Sequence, residues 1–170
     1  VFDYYSKSHA IRFCVFFILF LIVSFTPIRF WHSTSFIIFT SLLLLLVFVK
    51  FYGIQSQGSR RWVNLYVINL QPSELMKIGI ILFLSNYYHK ISEGDVNRLR
   101  FLLYPVIAIL APFILVLSQP DLGTAILILL SGVVVTWLAG VKWKIFAYLS
   151  LISIITAPIA ISFLKPYQKS

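Results

Sequence analysis

Residues Gly58–Lys77 have the sequence GSRRWVNLYVINLQPSELMK, the longest polar interruption in an otherwise strongly apolar chain. This stretch holds two adjacent arginines, Arg60 and Arg61, and a carboxylate and an amine three residues apart, Glu74 and Lys77. The apolar runs on either side of it are too long for the core of a soluble protein. The pattern therefore predicts a polar site built at the surface of a membrane.

The composition excludes an ordinary soluble domain. Of the 170 residues, 60% are hydrophobic and only 11% are charged, whereas about a quarter of the residues in soluble domains are charged. The net charge of +9 comes from basic residues in the connections, where they can meet lipid headgroups or an anionic substrate. No basic stripe follows a single element, so no nucleic acid is expected as a partner. The single cysteine, Cys14, excludes a disulfide within this chain.

The apolar runs predict an all-α, polytopic membrane protein, with residues 1–170 forming one transmembrane helical domain. Helices are expected because backbone amides in lipid must be hydrogen-bonded within their own segment. About six spans are predicted, at residues 10–29, 36–52, 71–88, 101–117, 123–140 and 145–164. We also expect a fragment of a longer protein, because no initiator Met opens the chain and it stops directly after the last apolar run.

The basic residues do not orient these spans. One side of the membrane would hold Arg29, Lys90, Arg98, Arg100, Lys142 and Lys144, and the other would hold Lys7, Arg12, Arg60, Arg61, Lys165 and Lys169. Because the two groups are equal in number, the positive-inside rule gives no orientation.

The segment QPSELMK begins at Gln71 and has the features of a helix start. Gln71 or Ser73 can cap the helix, the proline suits its first turn, and Glu74 complements the positive end of the helix dipole. Lys77 shares a helix face with Glu74, and a charged pair near a membrane boundary is costly unless it faces a cavity or other helices. A structural ion pair and a functional pair lining a cavity both remain open.

The segment GSRRW places Arg60 and Arg61 directly before an aromatic residue suited to the interface, Trp62. Arginine binds phosphate oxygens in a bidentate manner and stays protonated. The pair is explained by contact with lipid headgroups, or by a phosphate or pyrophosphate clamp for a lipid-linked substrate.

The segment SQPDLGT places a lone carboxylate, Asp121, between two predicted spans. Asp121 is a candidate N-cap of the following helix, a general base, an oxygen ligand for a divalent cation, or the partner of Lys77 or an arginine. Gly123 suggests close approach of the backbone or a special backbone dihedral.

Three motifs occur in a familiar order, and together they resemble the RodA/FtsW/SpoVE (SEDS) family, the RodA branch more than the FtsW branch. The motifs are Gly58 with Arg61-Trp62, then Gln71-Pro72-Ser73-Glu74 with Lys77, then Gln119-Pro120-Asp121-Leu122-Gly123-Thr124-Ala125. The turn Ala139-Gly140…Trp143 and the closing Pro166-Tyr167-Gln168-Lys169 are similar to RodA in particular. The resemblance runs from about Ala10 to the end of the chain.

The resemblance implies a ten-span peptidoglycan glycosyltransferase of the bacterial cytoplasmic (inner) membrane, which polymerises lipid II for elongation and rod shape. The six segments match the second to seventh spans of that fold. The loops with Arg61 and Asp121 then face outward, and residues 90–100 face the cytoplasm. The family's catalytic aspartate would lie beyond Ser170, so no catalytic residue is expected in this fragment, which alone should be inactive.

The resemblance also implies which residues meet the substrate. The candidates for substrate binding or for lining a cavity are Arg61, Gln71, Glu74, Lys77, Asp121, Gly123 and Thr124, with Arg60, Trp62 and Ser73 as weaker ones. Arg61 and Lys77 would neutralise the departing undecaprenyl pyrophosphate. A divalent cation, Mg or Mn, is a further candidate for that role. The expected partners are lipid II, undecaprenyl pyrophosphate, membrane lipids and a class B penicillin-binding protein.

Other functions remain open at this point. A polar cavity between helices also suits a flippase or transporter of lipid-linked precursors. The chain is alternatively an FtsW-type homologue of the division septum, a non-catalytic scaffold for a penicillin-binding protein, or a truncated gene copy.

Overall fold

The protein is built from long helices, and the computed structural model describes residues 2–56, 59–64, 69–92 and 94–148. The helices are α1 (Phe2–Phe25), α2 (Ile28–Tyr52), α3 (Pro72–His89), α4 (Leu99–Leu117) and α5 (Leu122–Leu138). Residues 143–148 are also helical. The sixth predicted span, at 145–164, lies outside the described residues from position 149 onward.

Two of the described helices are long and apolar enough to cross a membrane by length and composition. They are α2, with 25 residues, and α4, with 19, and each reaches a mean hydropathy of 2.3. Residues 9–25 and α5 are shorter apolar helices. The 18 residues of α3 include Glu74 and Lys77 near its start, which lowers its hydropathy without interrupting the helix.

The start of α2 differs from the sequence prediction. The expected connection up to residue 35 is reduced to two residues, and α2 begins at Ile28 instead of residue 36. Pro27 has the extended conformation of an N-cap residue. The hydroxyls of Ser33 and Thr34 donate to the carbonyl of Phe30 at 3.0 and 2.7 Å. These polar side chains are therefore satisfied within the helix, and they do not end it.

The connection between α2 and α3 is a small antiparallel sheet, where the sequence predicts only a polar loop. Its strands, in the order β1-β2-β3, are β1 (Ile54–Ser56), β2 (Ser59–Asn64) and β3 (Asn69–Leu70). The central strand carries Arg61 and Trp62 and contacts the ends of α2 and α3. Arg60 and Trp62 pair with β1, and Arg61 lies between them at an irregularity in the register.

The helices approach closely at two glycines. A methyl group on Gly79 of α3 would lie 2.8 Å from Leu42 Cδ1 in α2, and one on Gly132 of α5 would lie 2.5 Å from Ile109 Cγ1 in α4. Small residues at such positions let helix backbones approach one another in membrane proteins. Around them, the largest fully buried apolar side chains other than prolines are Leu46, Met76, Ile80, Leu84, Ile128, Val49 and Val116.

The bundle has two ends with different polar contacts. At one end, called the sheet end, α2 and α4 finish, α3 and α5 begin, and the three strands lie. At the other, called the far end, α2 and α4 begin and α3 and α5 finish. Every predicted site residue that the structure describes lies at the sheet end.

Candidate functional site

Arg61 joins the sheet to the turn between α4 and α5. Its Nε donates to the carbonyl of Gln119 at 3.1 Å, and its Nη2 donates to the carbonyl of Pro120 at 2.7 Å. The last carbonyls of a helix lack intrahelical partners and carry partial negative charge. A guanidinium placed just beyond the end of α4 therefore satisfies two carbonyls of the turn and complements the helix dipole.

Asp121 occupies the N-cap position of α5, which is one of the roles predicted for it from the sequence. Its Oδ1 accepts from the amide of Thr124 at 3.2 Å. Its Oδ2 accepts from Gln71 Nε2 at 3.0 Å and lies 3.5 Å from Arg61 Nη1. Only 12% of the side chain is exposed, against 27% for Arg61. Asp121 thus pairs with an arginine and not with Lys77, and its contacts are those of a cap and ion pair.

Gln71 connects α3 to the same network. It lies at the N-cap of α3 but makes no side-chain cap bond there, so capping by Gln71 or Ser73 is a wrong prediction. Its amide instead donates to the buried Ser73 Oγ at 3.0 Å and to Asp121. The hydrogen bond between Gln71 and Asp121 holds the start of α3 against the start of α5.

Gln119 is a buried polar residue that was not among the predicted site residues. It is 5% exposed, and its Nε2 donates to the carbonyl of Leu46 in α2 at 3.1 Å. The available signal was a polar residue directly after a long apolar run, where burial requires a hydrogen-bond partner. With Gln119, the α4–α5 turn is bonded to α2, to β2 and to α3.

Glu74 and Lys77 form a separate ion pair. Lys77 Nζ lies 2.8 Å from Glu74 Oε2, and the side chains are 24% and 52% exposed. Lys77 is six residues beyond Gln71, which places it about 9 Å farther along the axis of α3. Within the described residues no hydrogen bond or ion pair joins Lys77 to Arg61 or Asp121. The structure places all these groups at the sheet end, in two neighbouring clusters.

The remaining candidates have smaller roles in the geometry. Gly123 lies in the first turn of α5 with no heavy atom within 4 Å of an added methyl group, and its φ is not positive. The predicted close approach or special dihedral at Gly123 is therefore wrong. Thr124 is buried and supplies the capped amide. Trp62 is half-buried, and the side chain of Arg60 lies outside the described part of the chain.

The described residues do not fit a divalent cation. Among them, no group of three or more His, Cys, Asp or Glu side chains comes together. Asp121 is a single carboxylate whose two oxygens already accept hydrogen bonds, and a guanidinium lies beside it. Calcium and magnesium sites need several oxygen ligands, and the carbonyl oxygens of Gln119 and Pro120 in the same turn already accept hydrogen bonds from Arg61.

Two helices long and apolar enough to cross a membrane, with a polar network at one end of the bundle, are consistent with an integral membrane protein. Comparison with known sequences identifies the protein family. The chain belongs to the FtsW/RodA/SpoVE family, described as cell cycle proteins, whose pattern matches residues 3–170. The predicted family and its polytopic helical fold are confirmed.

Relatives of both branches match nearly the whole chain. A probable peptidoglycan glycosyltransferase FtsW of Buchnera aphidicola subsp. Baizongia pistaciae is 33% identical over 97% of this chain and 43% of its own length. The peptidoglycan glycosyltransferase MrdB of Helicobacter pylori 26695 is also 33% identical, over 96% of this chain and 44% of its own length. Because the identities are equal, the closer likeness to RodA stays a prediction.

Solved structures show the same fold. A peptidoglycan synthase complex, described as coordinating polymerization and crosslinking, matches with a TM-score of 0.77 and 28% identity over 95% of this chain and 48% of the other. The rod shape-determining protein RodA of Thermus thermophilus matches with a TM-score of 0.73 and 26% identity over 88% of this chain and 49% of RodA. This chain spans less than half the length of each of these proteins.

Proposed function

We propose that this chain is part of a peptidoglycan glycosyltransferase that polymerises lipid II in the bacterial cytoplasmic membrane. The relatives named above support the activity, since both are named as peptidoglycan glycosyltransferases. The chain covers 43% and 44% of their lengths, so it supplies a portion of the enzyme. The catalytic base belongs to sequence beyond that portion.

The observation that carries the proposal is the fixed polar network of Arg61, Gln71 and Asp121 beside the ion pair of Lys77. In glycosyl transfer a base removes the proton of an acceptor hydroxyl. The hydroxyl oxygen bonds to the anomeric carbon, and the bond from that carbon to the leaving diphosphate breaks. The leaving oxygen keeps the electron pair, so positive groups held near it lower the barrier.

Lys77 is the better candidate for that electrostatic role. The guanidinium of Arg61 donates to two carbonyls and faces Asp121, so its positive charge is largely balanced by groups within the protein. Lys77 is bonded to a half-exposed Glu74 through one of its three N–H groups. We assign Lys77 to contact with the diphosphate, and Arg61 to positioning of the α4–α5 turn.

The family membership supports an orientation in which the sheet end, with Arg61 and Asp121, faces outward and the far end, with residues 90–100, faces the cytoplasm. Six basic residues whose side chains the structure describes lie at the far end: Arg29, Lys90, Arg98, Arg100, Lys142 and Lys144.

The partner is a class B penicillin-binding protein. The structural match to a complex that coordinates polymerization with crosslinking supports a crosslinking partner for the complete enzyme. The half-exposed apolar side chains of α1, such as Phe16 and Phe20, face lipid or this partner in the membrane.

The test uses a longer protein that includes the segments present in the relatives. Lys77→Gln should lower the rate of lipid II polymerisation by about two to three orders of magnitude, measured as glycan product length against time. Lys50→Gln removes one positive charge from the same end outside the two clusters and should leave the rate within about twofold.

A polymerisation rate for Lys77→Gln equal to that of Lys50→Gln, in protein with unchanged thermal stability, would contradict the role of Lys77. Transfer of a lipid-linked precursor across vesicle membranes without any lengthening of glycan would contradict the proposed reaction itself.

A further inference from the structure

The far end carries a concentration of positive charge that the proposed reaction does not use. Five basic side chains there make no ion pair within the described residues: Arg29, Lys90, Arg100, Lys142 and Lys144. We propose that these five residues, called the basic surface, bind the headgroups of anionic phospholipids. This inference does not depend on the proposed function.

Two loops that carry these residues are fastened to each other by Asn97. Its Nδ2 donates to the carbonyl of Gly140 at 3.4 Å, and its Oδ1 accepts from the amide of Lys142 at 2.9 Å. Val96 and Val141, at 4% and 3% exposure, are buried beneath these bonds. The connection before α4 and the turn after α5 are therefore joined, and Arg100 follows the first of them while Lys142 and Lys144 belong to the second.

The other two basic residues are brought together by the contact between α2 and α3. The rings of His32 and His89 meet edge to face, with centroids 5.2 Å apart. One turn deeper, Asn86 Nδ2 donates to Ser35 Oγ at 2.7 Å. These contacts bring the start of α2, with Arg29, beside the end of α3, with Lys90.

Among the residues that the structure describes, acidic side chains at the far end leave this charge unneutralised. Asp95 is the acid whose side chain the structure describes there, and its Oδ1 lies 2.9 Å from Arg98 Nε. Its Oδ2 accepts from Ser92 Oγ at 3.0 Å. Asp95 thus pairs with the sixth basic residue, Arg98, and is held by its own loop.

Arg100 makes a cation–π contact but has no acidic partner among the described residues. It lies in the first turn of α4, where the helix dipole disfavours a cation. Its guanidinium carbon lies 4.7 Å from the centroid of the Phe101 ring, which directs the side chain along the helix surface. An anion outside the protein would offset the unfavourable interaction of this cation with the helix dipole.

The surroundings specify a lipid headgroup as the anion. Trp143 and Tyr148, 68% and 65% exposed, stand beside the basic surface on the helical segment 143–148, and such aromatics sit at headgroup depth. The apolar faces of α4 and α5 continue from the same loops into the membrane. Acyl chains can therefore follow the helices while the phosphate meets the cations.

The experiment measures which lipids remain with the protein. The full-length chain is placed in nanodiscs made from equimolar phosphatidylglycerol and phosphatidylcholine, extracted into neutral detergent, and analysed for the ratio of the two lipids. Phosphatidylglycerol should be enriched, and the enrichment should fall as salt rises, because salt screens these charges. Nanodiscs expose both faces, so membrane orientation does not affect the result.

Each basic residue near the membrane surface should contribute about a fivefold preference for phosphatidylglycerol over phosphatidylcholine. The triple variant Arg100→Gln, Lys142→Gln, Lys144→Gln should lose most of the enrichment. Asn97→Ala keeps every charge but releases the two loops, and should lower the enrichment several-fold. Lys144→Gln and Lys50→Gln each remove one charge, from the far end and the sheet end respectively, and only the first should reduce the ratio.

A lipid ratio of one for the unaltered protein would overturn the proposal. So would an enrichment that survives in the triple variant, or one that Lys50→Gln reduces as much as Lys144→Gln. Thermal unfolding in phosphatidylcholine alone shows that the variants are folded, and an enrichment unchanged in a folded Asn97→Ala variant would remove Asn97 from the site.

Discussion

The hydroxyl of Tyr87 donates to the carbonyl of Phe101 at 2.9 Å, which joins the end of α3 to the start of α4. This carbonyl would normally accept from the amide of residue 105, but Pro105 has no amide hydrogen. Tyr87 therefore supplies a hydrogen bond that the sequence of α4 removes.

Tyr87→Phe should lower the free energy of unfolding by about 1 kcal/mol, which is the typical contribution of an interhelical hydrogen bond in a membrane protein. In a Pro105→Ala background the same change should cost less, because the amide of residue 105 then reaches the Phe101 carbonyl. Denaturant titration of the four proteins in detergent measures the coupling. Equal costs in the two backgrounds would mean that Tyr87 does not replace the missing bond.

Asp121 stabilises the sheet end in two ways that substitutions can separate. Asp121→Asn keeps a good capping residue but removes the charge opposite Arg61, whereas Asp121→Ala removes both. We expect Asp121→Ala to be less stable than Asp121→Asn by about 1 kcal/mol, the usual contribution of an N-cap. In an Arg61→Gln background, the cost of Asp121→Asn should fall, and thermal unfolding of the double mutant measures this. A cost that is independent of Arg61 would exclude the ion pair as a stabilising contact.

Gly132 marks a place where α5 cannot accept a larger residue. Gly132→Ala would put a methyl group 2.5 Å from Ile109 Cγ1, so we expect a loss of about 1 to 3 kcal/mol from overpacking. Ile109→Val removes one methyl group and should recover part of it. Gly123→Ala in the same helix meets open space and serves as the control, since alanine is the better helix former. Equal stability of the two alanine variants would show that the helices separate at Gly132 without cost.

Gly140 should be sensitive for a different reason. Its φ of 93° lies in the left-handed region, which costs other residues about 1–2 kcal/mol, with asparagine the best tolerated. We expect Gly140→Ala to destabilise the protein and Gly140→Asn to do so less, by thermal unfolding. The reverse order would indicate that a side chain at this position interferes with the contact of Asn97.

The helices and the Glu74–Lys77 pair were predictable because both depend on local sequence. Residues 42–49, LLLLLVFV, predict a helix at α2. The spacing of three residues puts Glu74 and Lys77 on one helix face. The early start of α2 was missed because Ser33 and Thr34 resemble a connection, although their hydroxyls bond within the helix. The short strands were missed because β propensity depends strongly on context.

The network around Asp121 was only partly predictable. Its role as an N-cap follows from the residues beside it, but the contacts of Gln71 and Arg61 join positions separated by 50 or more residues. No local pattern distinguishes Arg61 from Arg60 as the partner of the turn. The choice depends on which face of strand β2 meets the bundle, and tertiary packing determines that.

The bonds of Arg61 have a mechanical consequence. They bridge elements 58 and 59 positions apart in the chain, so the strands and the α4–α5 turn must shift together or not at all. Because Gln119 and Gln71 also bond this turn to Leu46 of α2 and to the start of α3, any movement of the strands would have to carry the whole sheet end of the bundle with it. Paired spin labels placed on the strand and on the turn should therefore keep a constant separation, and Arg61→Gln should broaden the distribution of that separation.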